Sequence, residues 1–262
     1  MQERRIEFAN ARGELLVGTL REPSCPPALA PRPPAAGGPQ SSSSGDGGSS
    51  SGGGAAPALA ILCHGYMSDR NSELLLRIAG ALAREGVATL RFDFSGNGES
   101  EGRFRYGGYR SEARDIAAAR AAVAGEVVNL AARCDVRGGV ERRLGAAVLQ
   151  RLSESGAVEL RGRCRARGEF GWTLTRDDLE DRLSTDVAAA AAAIPPGVRV
   201  LTAHGTDDAD VPVSEARLIA SLVPSHELLV IEGGDHLFSG YAEQMALLPR
   251  VAEFVLGACR RE

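Results

Sequence analysis

Three short segments bring together residue types that could move an acyl group. His64-Gly65-Tyr66-Met67-Ser68 closes the apolar run Ala58-Leu59-Ala60-Ile61-Leu62-Cys63, so a loop with free backbone N–H groups follows directly on a strand. His204-Gly205-Thr206-Asp207-Asp208-Ala209-Asp210-Val211-Pro212 sets three carboxylates beyond a second apolar run, and Gly233-Gly234-Asp235-His236 sets an imidazole beyond a third. Such a set suits attack on a carbonyl. An imidazole takes and returns the proton, a carboxylate orients it, and preorganised N–H groups stabilise the oxygen that becomes negative. Gly65 lets the backbone approach closely. Two other readings of the aspartates are a metal site and a group of solvated loop acids. Neither explains a position at a strand tip.

The missing member is a nucleophile. G-x-S-x-G occurs twice, as Gly48-Ser49-Ser50-Ser51-Gly52 inside a low-complexity tract and as Gly98-Glu99-Ser100-Glu101-Gly102. A nucleophile elbow needs Ser directly between a strand and a helix. Ser100 instead follows a strand that ends near Phe94, in a loop with no helix before about residue 109, and two flanking Glu oppose a developing alkoxide. Cys134 and Asp135 are further substitutes, but neither falls at the apex of a strand-to-helix turn.

The elements that must position these residues alternate between strand and helix. Residues 5–20 read as a hairpin, 58–63 as a strand, 72–85 as a helix capped by Ser72, and 87–94 as a strand. A Gly-rich loop at 95–108 leads to a helix at 109–124 and a strand at 127–132. A polar excursion over 139–183 holds a helix at 139–154, a hairpin near 157–174 and an acidic helix start at Thr175-Arg176-Asp177-Asp178-Leu179. The Ala-rich run 187–193 is helical by propensity. Strand 198–203, helix 214–222, strand 227–231 and helix 241–257 complete the order. Alternation of this kind builds a mostly parallel sheet with helices on both faces.

With these motifs in this order, the chain resembles the α/β-hydrolase superfamily, in its serine-aminopeptidase-like and cinnamoyl (feruloyl) esterase-like branch. The resemblance rests on the loop at 64–68, on Arg91-Phe92-Asp93-Phe94-Ser95-Gly96-Asn97-Gly98-Glu99-Ser100, on the acid loop at 204–212 and on His236. It implies Asp208 as the orienting acid, His236 as the general base and the Tyr66 N–H as an oxyanion donor, with His64 bracing its loop. It implies no metal and no cofactor, and a small-molecule ester or acyl substrate. It makes 139–183 a cap, where Phe170 and Trp172 either line an acyl or aryl pocket or anchor the cap to the sheet. Arg161, Arg163, Arg165 and Arg167 alternate and read as one solvated strand face.

The same resemblance locates a gap. The helix at 109–124 should lead into a strand, a Ser turn and another helix, yet Ala122-Val123-Ala124-Gly125-Glu126 runs straight into Val127-Val128-Asn129-Leu130. One central strand and helix, of the order of 30–40 residues, are missing near 124–127, as in a shortened isoform or a faulty gene model. A rival alignment places Val127–Arg133 in the elbow strand's slot and Val136 where Ser belongs. Both give a hydrolase without its nucleophile; the alternative is an inactive binding or regulatory protein on the same fold. Unless Val127–Ala132 slides inward to pair with the strand ending at Cys63, that strand's backbone donors lack a partner, and marginal stability follows.

Bulk properties bound the rest. A length of 262 residues fits a single domain over 1–262, with 23–57 as a disordered Pro/Ala/Ser/Gly insertion. A net charge of −4 excludes the clustered basic surface that nucleic acid needs. All 30 basic residues are Arg, which reads as coding bias. Five widely spaced Cys (25, 63, 134, 164 and 259) favour reduced thiols. No segment is apolar for long enough to span a bilayer, and the N-terminus lacks an apolar signal core. The expected location is cytoplasmic.

Overall fold

A computed structural model describes residues 2–23, 59–119, 127–164 and 168–259. The insertion expected at 23–57, beyond its first residue, lies outside the described residues, as do Arg165 and Arg167.

Strand β1 (Glu3–Ala9) turns at Gly13 (φ 77°) into β2 (Leu15–Arg21), the expected hairpin. β3 (Leu59–Cys63) leads to helix α1 (Glu73–Arg84), which buries Leu75, Ile78, Ala79 and Leu82 at helical spacing. Gly86 (φ 84°) ends it, where only Gly adopts the left-handed conformation cheaply. β4 (Ala88–Phe92) is buried throughout and α2 (Tyr109–Ala119) follows the Gly-rich loop. β5 (Val127–Leu130) precedes the excursion, and β8 (Val200–Gly205), α7 (Val213–Leu222), β9 (His226–Ile231) and α8 (Tyr241–Cys259) close the chain.

In the excursion, the single helix expected over 139–154 is two. Gly145 (φ 81°) separates α3 (Val140–Leu144) from α4 (Ala146–Ser155), because its backbone takes a conformation that a helix cannot contain. The antiparallel pair β6 (Ala157–Cys164) and β7 (Gly168–Thr175) follows. α5 (Arg176–Leu183) starts on a capping box between Thr175 and Asp178, and α6 (Val187–Ala192) is capped by Asp186.

The fold is α/β with helices over a mostly parallel arrangement of strands, but the expected single sheet is in two parts. One is ordered β1-β2-β4-β3, with β3 parallel to β4 (Leu59 opposite Ala88) and the hairpin antiparallel at its far side. The other is β5-β8-β9, all parallel, with Val127 opposite Val200. Among the described residues no strand pairs with the outer edge of β3 or with that of β5. β5 has not slid inward. One core spans the break: Ile78 and Leu82 of α1, Leu201 and Ala203 of β8, and Leu247, Val251 and Phe254 of α8 belong to one cluster. Among the described residues no helix is long and apolar enough to cross a membrane.

Candidate active site

Asp208 and His236 meet across the tips of β8 and β9. The chain leaves β8 at Gly205, and a side-chain–backbone turn fixes Asp208: its Oδ1 accepts from Asp210 N–H at 2.8 Å and Val211 N–H at 2.7 Å. Its Oδ2 lies 2.8 Å from His236 Nδ1 and 3.2 Å from His204 Nε2. The carboxylate is buried, while the His236 side chain is 33% exposed. An imidazole held at Nδ1 by a buried acid presents Nε2 outward, the geometry of a general base. Asp207 is exposed, and the Asp210 carboxylate faces Arg142 and Arg143 at 3.5 and 3.6 Å. Of the three aspartates, Asp208 alone holds His236.

The loop that carries His236 is itself pinned. Asp235 Oδ1 accepts from Leu237 N–H at 2.8 Å and Ser239 N–H at 3.1 Å, and the Ser239 hydroxyl donates to the same carboxylate. These bonds, the Ser239 hydroxyl's foremost, hold the Asp235 carboxyl below its ordinary range. The two loops touch backbone to backbone at Gly205 and Gly234, where a Cβ on Gly205 would sit 2.0 Å from the Gly234 carbonyl oxygen. Asp207 N–H donates to that same carbonyl at 3.0 Å.

Tyr66 lies just beyond β3, and its N–H has no hydrogen-bond partner among the described residues. Met67 follows with φ 52°, so the loop turns sharply. The Tyr66 ring packs 5.7 Å from the rings of both Phe104 and Tyr106, with the Arg143 guanidinium 4.8 Å above it. Burial pushes its phenol well above the usual tyrosine range. His64 braces this loop. Nε2 accepts from Phe94 N–H at 3.1 Å, which leaves Nδ1–H to donate to Gly65 O at 2.8 Å. Burial lowers the His64 pKa, consistent with a neutral ring.

The candidate nucleophiles are elsewhere. Ser100 is buried, donating from Oγ to Asp93 O at 2.7 Å and accepting from Val17 N–H at 2.9 Å. Its loop is tied down through Asp93, which accepts from Arg70 and Glu99 N–H groups and pairs with the Arg70 guanidinium. Cys134 is buried, and burial raises its thiol pKa. Ala131, at the end of β5, has the left-handed backbone of a sharp strand-end turn (φ 49°), but a methyl as its side chain. Val136, where the rival alignment puts Ser, is buried. Among the described residues no hydroxyl or thiol hydrogen-bonds His236.

Phe170 and Trp172 join the aromatic cluster with Phe104, Tyr106 and Leu174; Trp172 is 5.2 Å from Phe104 and stacks on Tyr106 at 6.3 Å. They anchor the excursion to the Gly-rich loop at 95–108, whose Phe104 and Tyr106 also pack against Tyr66. Arg161 and Arg163 are exposed. Sequence reasoning missed His204, whose buried ring backs Asp208, and the contacts of Arg142 and Arg143 with the acid loop. A signal existed only for His204, which directly precedes Gly205 in the acid segment.

No family model matches the sequence, and no curated protein does. Solved structures do. The α/β hydrolase GrgF from Penicillium sp. sh18 has a TM-score of 0.68 at 14% identity, with 97% of this chain and 98% of that chain covered. α/β-hydrolase domain-containing protein 10 from mouse gives 0.63 at 14%, covering 97% and 99%. Est1E from Butyrivibrio proteoclasticus, with ferulic acid bound, gives 0.61 at 18%, covering 97% and 99%. The chain therefore has the α/β-hydrolase fold.

Proposed function

We propose that this chain is a serine-hydrolase-type protein, descended from an enzyme of carboxylic esters or related acyl bonds and impaired because it lacks the nucleophilic Ser. The observation that carries the reading is the 2.8 Å contact of His236 Nδ1 with buried Asp208 at the tips of two parallel strands. In this reading Asp208 orients the ring, and His236 Nε2 is the base. The Tyr66 N–H is the oxyanion donor, and residues 139–183 form a cap over one domain. The ferulic acid bound to Est1E supports a small aromatic or acyl ester as the ancestral substrate. The branch near serine aminopeptidases, a shortened isoform and a cytoplasmic location belong to the same reading. That no hydroxyl stands within hydrogen-bond reach of His236 among the described residues also favours a second reading, a binding protein that keeps the site without the chemistry.

Turnover of p-nitrophenyl butyrate and labelling by a fluorophosphonate probe test the proposal. The expected result is turnover no faster than that of His236→Ala and no labelled serine. Turnover that His236→Ala abolishes would show a working nucleophile and sink the impaired-enzyme reading.

A further inference from the structure

Most of what holds Asp208 is itself on a loop. The two N–H groups on Oδ1 come from Asp210 and Val211, residues of the acid's own loop, so they move with the carboxylate whenever that loop moves. His236 is partly exposed and stands on a second loop, beyond β9. Neither ties the acid to the sheet. His204 does: it belongs to β8, stands opposite Val230 of β9, and its side chain is fully buried.

His204 Nε2 lies 2.8 Å from the Val211 carbonyl oxygen and 3.2 Å from Asp208 Oδ2. Both are acceptors, so Nε2 carries the ring proton and shares it between them. Nδ1 is then the bare nitrogen, and it is buried with no hydrogen-bond partner among the described residues. His64, the other buried imidazole, satisfies both its nitrogens with backbone partners. A buried acceptor without a donor is costly, and an apolar side chain in the same space would not carry that cost. What the His204 ring supplies in return is the Nε2–H.

Val211 closes the arrangement. Its N–H donates to Asp208 Oδ1 at 2.7 Å, and its carbonyl accepts from His204 at 2.8 Å. One donor on the strand thus grips the acid loop at two points, the carboxylate and a carbonyl three residues on. With Oδ1 held by the loop and Oδ2 by the strand, the carboxylate does not pivot about Oδ1, and Oδ2 stays 2.8 Å from His236 Nδ1. We propose that His204 is a positioning residue: by bonding Oδ2 and the Val211 carbonyl it aims Asp208 at His236 Nδ1, and so keeps the bare Nε2 of His236 turned outward. This role deepens the reading of Asp208 and His236 as orienting acid and base, and rests on it.

Nitrogen-15 and proton NMR of the whole chain tests the role at His236 itself. In the parent chain His204 should carry its ring proton on Nε2, and His236 on Nδ1, the latter as a downfield proton resonance. His204→Leu removes the donor and keeps an apolar filling. The expected result is loss of the downfield resonance and appearance of the Nε2–H form of the His236 ring. His204→Gln ends in an amide N–H and should restore the parent signals, a rescue that a space-filling role does not give. Cooperative urea unfolding of each variant shows that the signals are read in a folded chain. A resonance retained in folded His204→Leu would overturn the proposal, because the backbone donors on Oδ1 would then suffice. So would equal loss in folded His204→Gln, or a His204 ring proton found on Nδ1 in the parent, a measurement that needs no variant to fold. A parent chain without the His236 resonance would remove the functional reading and this inference together. With that resonance present, a failure at His204 leaves the functional reading standing.

Discussion

At Asp208 the two carboxylate oxygens divide their work. Oδ1 is committed to the turn at Asp210 and Val211, and Oδ2 to His236. This division was legible only as far as the position of Asp208 beyond a strand; that His204 would back it from the core depends on packing that no local spacing encodes. Ser100 is the opposite case, a residue with a motif and no freedom. Replacing it by Ala removes the acceptor of Val17 N–H and should cost about 1–3 kcal/mol, read as a lower urea midpoint. Fluorophosphonate labelling should be unchanged, and labelling at Ser100 in the parent chain would refute its structural role. Glu14 gives a pH signature. The hydrogen bond from Arg12, aided by Asn10 and Ser95, lowers its carboxyl from 4.5 to about 2. A depressed acid stabilises the fold in full above its unfolded value and ceases to do so as pH falls through the folded one. The stability gap between the parent and Glu14→Gln should therefore be constant above about pH 4.5 and close as pH falls toward 2. A gap that widens on acidification would contradict this sign.

Among the elements, β8 and β9 set the site through the contact of Gly205 with Gly234. Gly205→Ala places a methyl where the Gly234 carbonyl stands, and the backbone must shift. The expected outcome is loss of the His236–Asp208 hydrogen bond, seen as disappearance of the downfield Nδ1–H proton resonance of His236, in a chain that still folds. Persistence of that resonance would show that the loops tolerate separation. Element order was readable where the periodicity of a segment is strong: the apolar stripe of α1 and the continuous apolar run of β4 each identify themselves. The division of α3 from α4 was not, since Gly145 inside a helical pattern reads as tolerated until its positive φ is seen.

On the scale of the whole molecule, two half-sheets share one core that α1 and α8 carry across the break. Among the described residues no strand joins β3 to β5, and the signal for that in the sequence was the run of Gly125-Glu126 straight into Val127. That β5 would stay on β8 could not be read there, because the choice is made by register with Val200–Ala203 and by the floor of the core. Open apolar edges in a broken sheet predict a calorimetric midpoint below the mesophile range of roughly 45–65 °C, falling further as protein concentration rises. A reversible, concentration-independent transition above that range would show that the core closes the break on its own.

The acid and the base both belong to the β8–β9 half, and nothing in their geometry reaches across the break. The pair is therefore a self-contained module, held by the two loops beyond β8 and β9 whatever stands beside it. A well-formed Asp–His couple, found alone, is a relic as readily as it is an engine, and only the neighbouring strand tells the two apart.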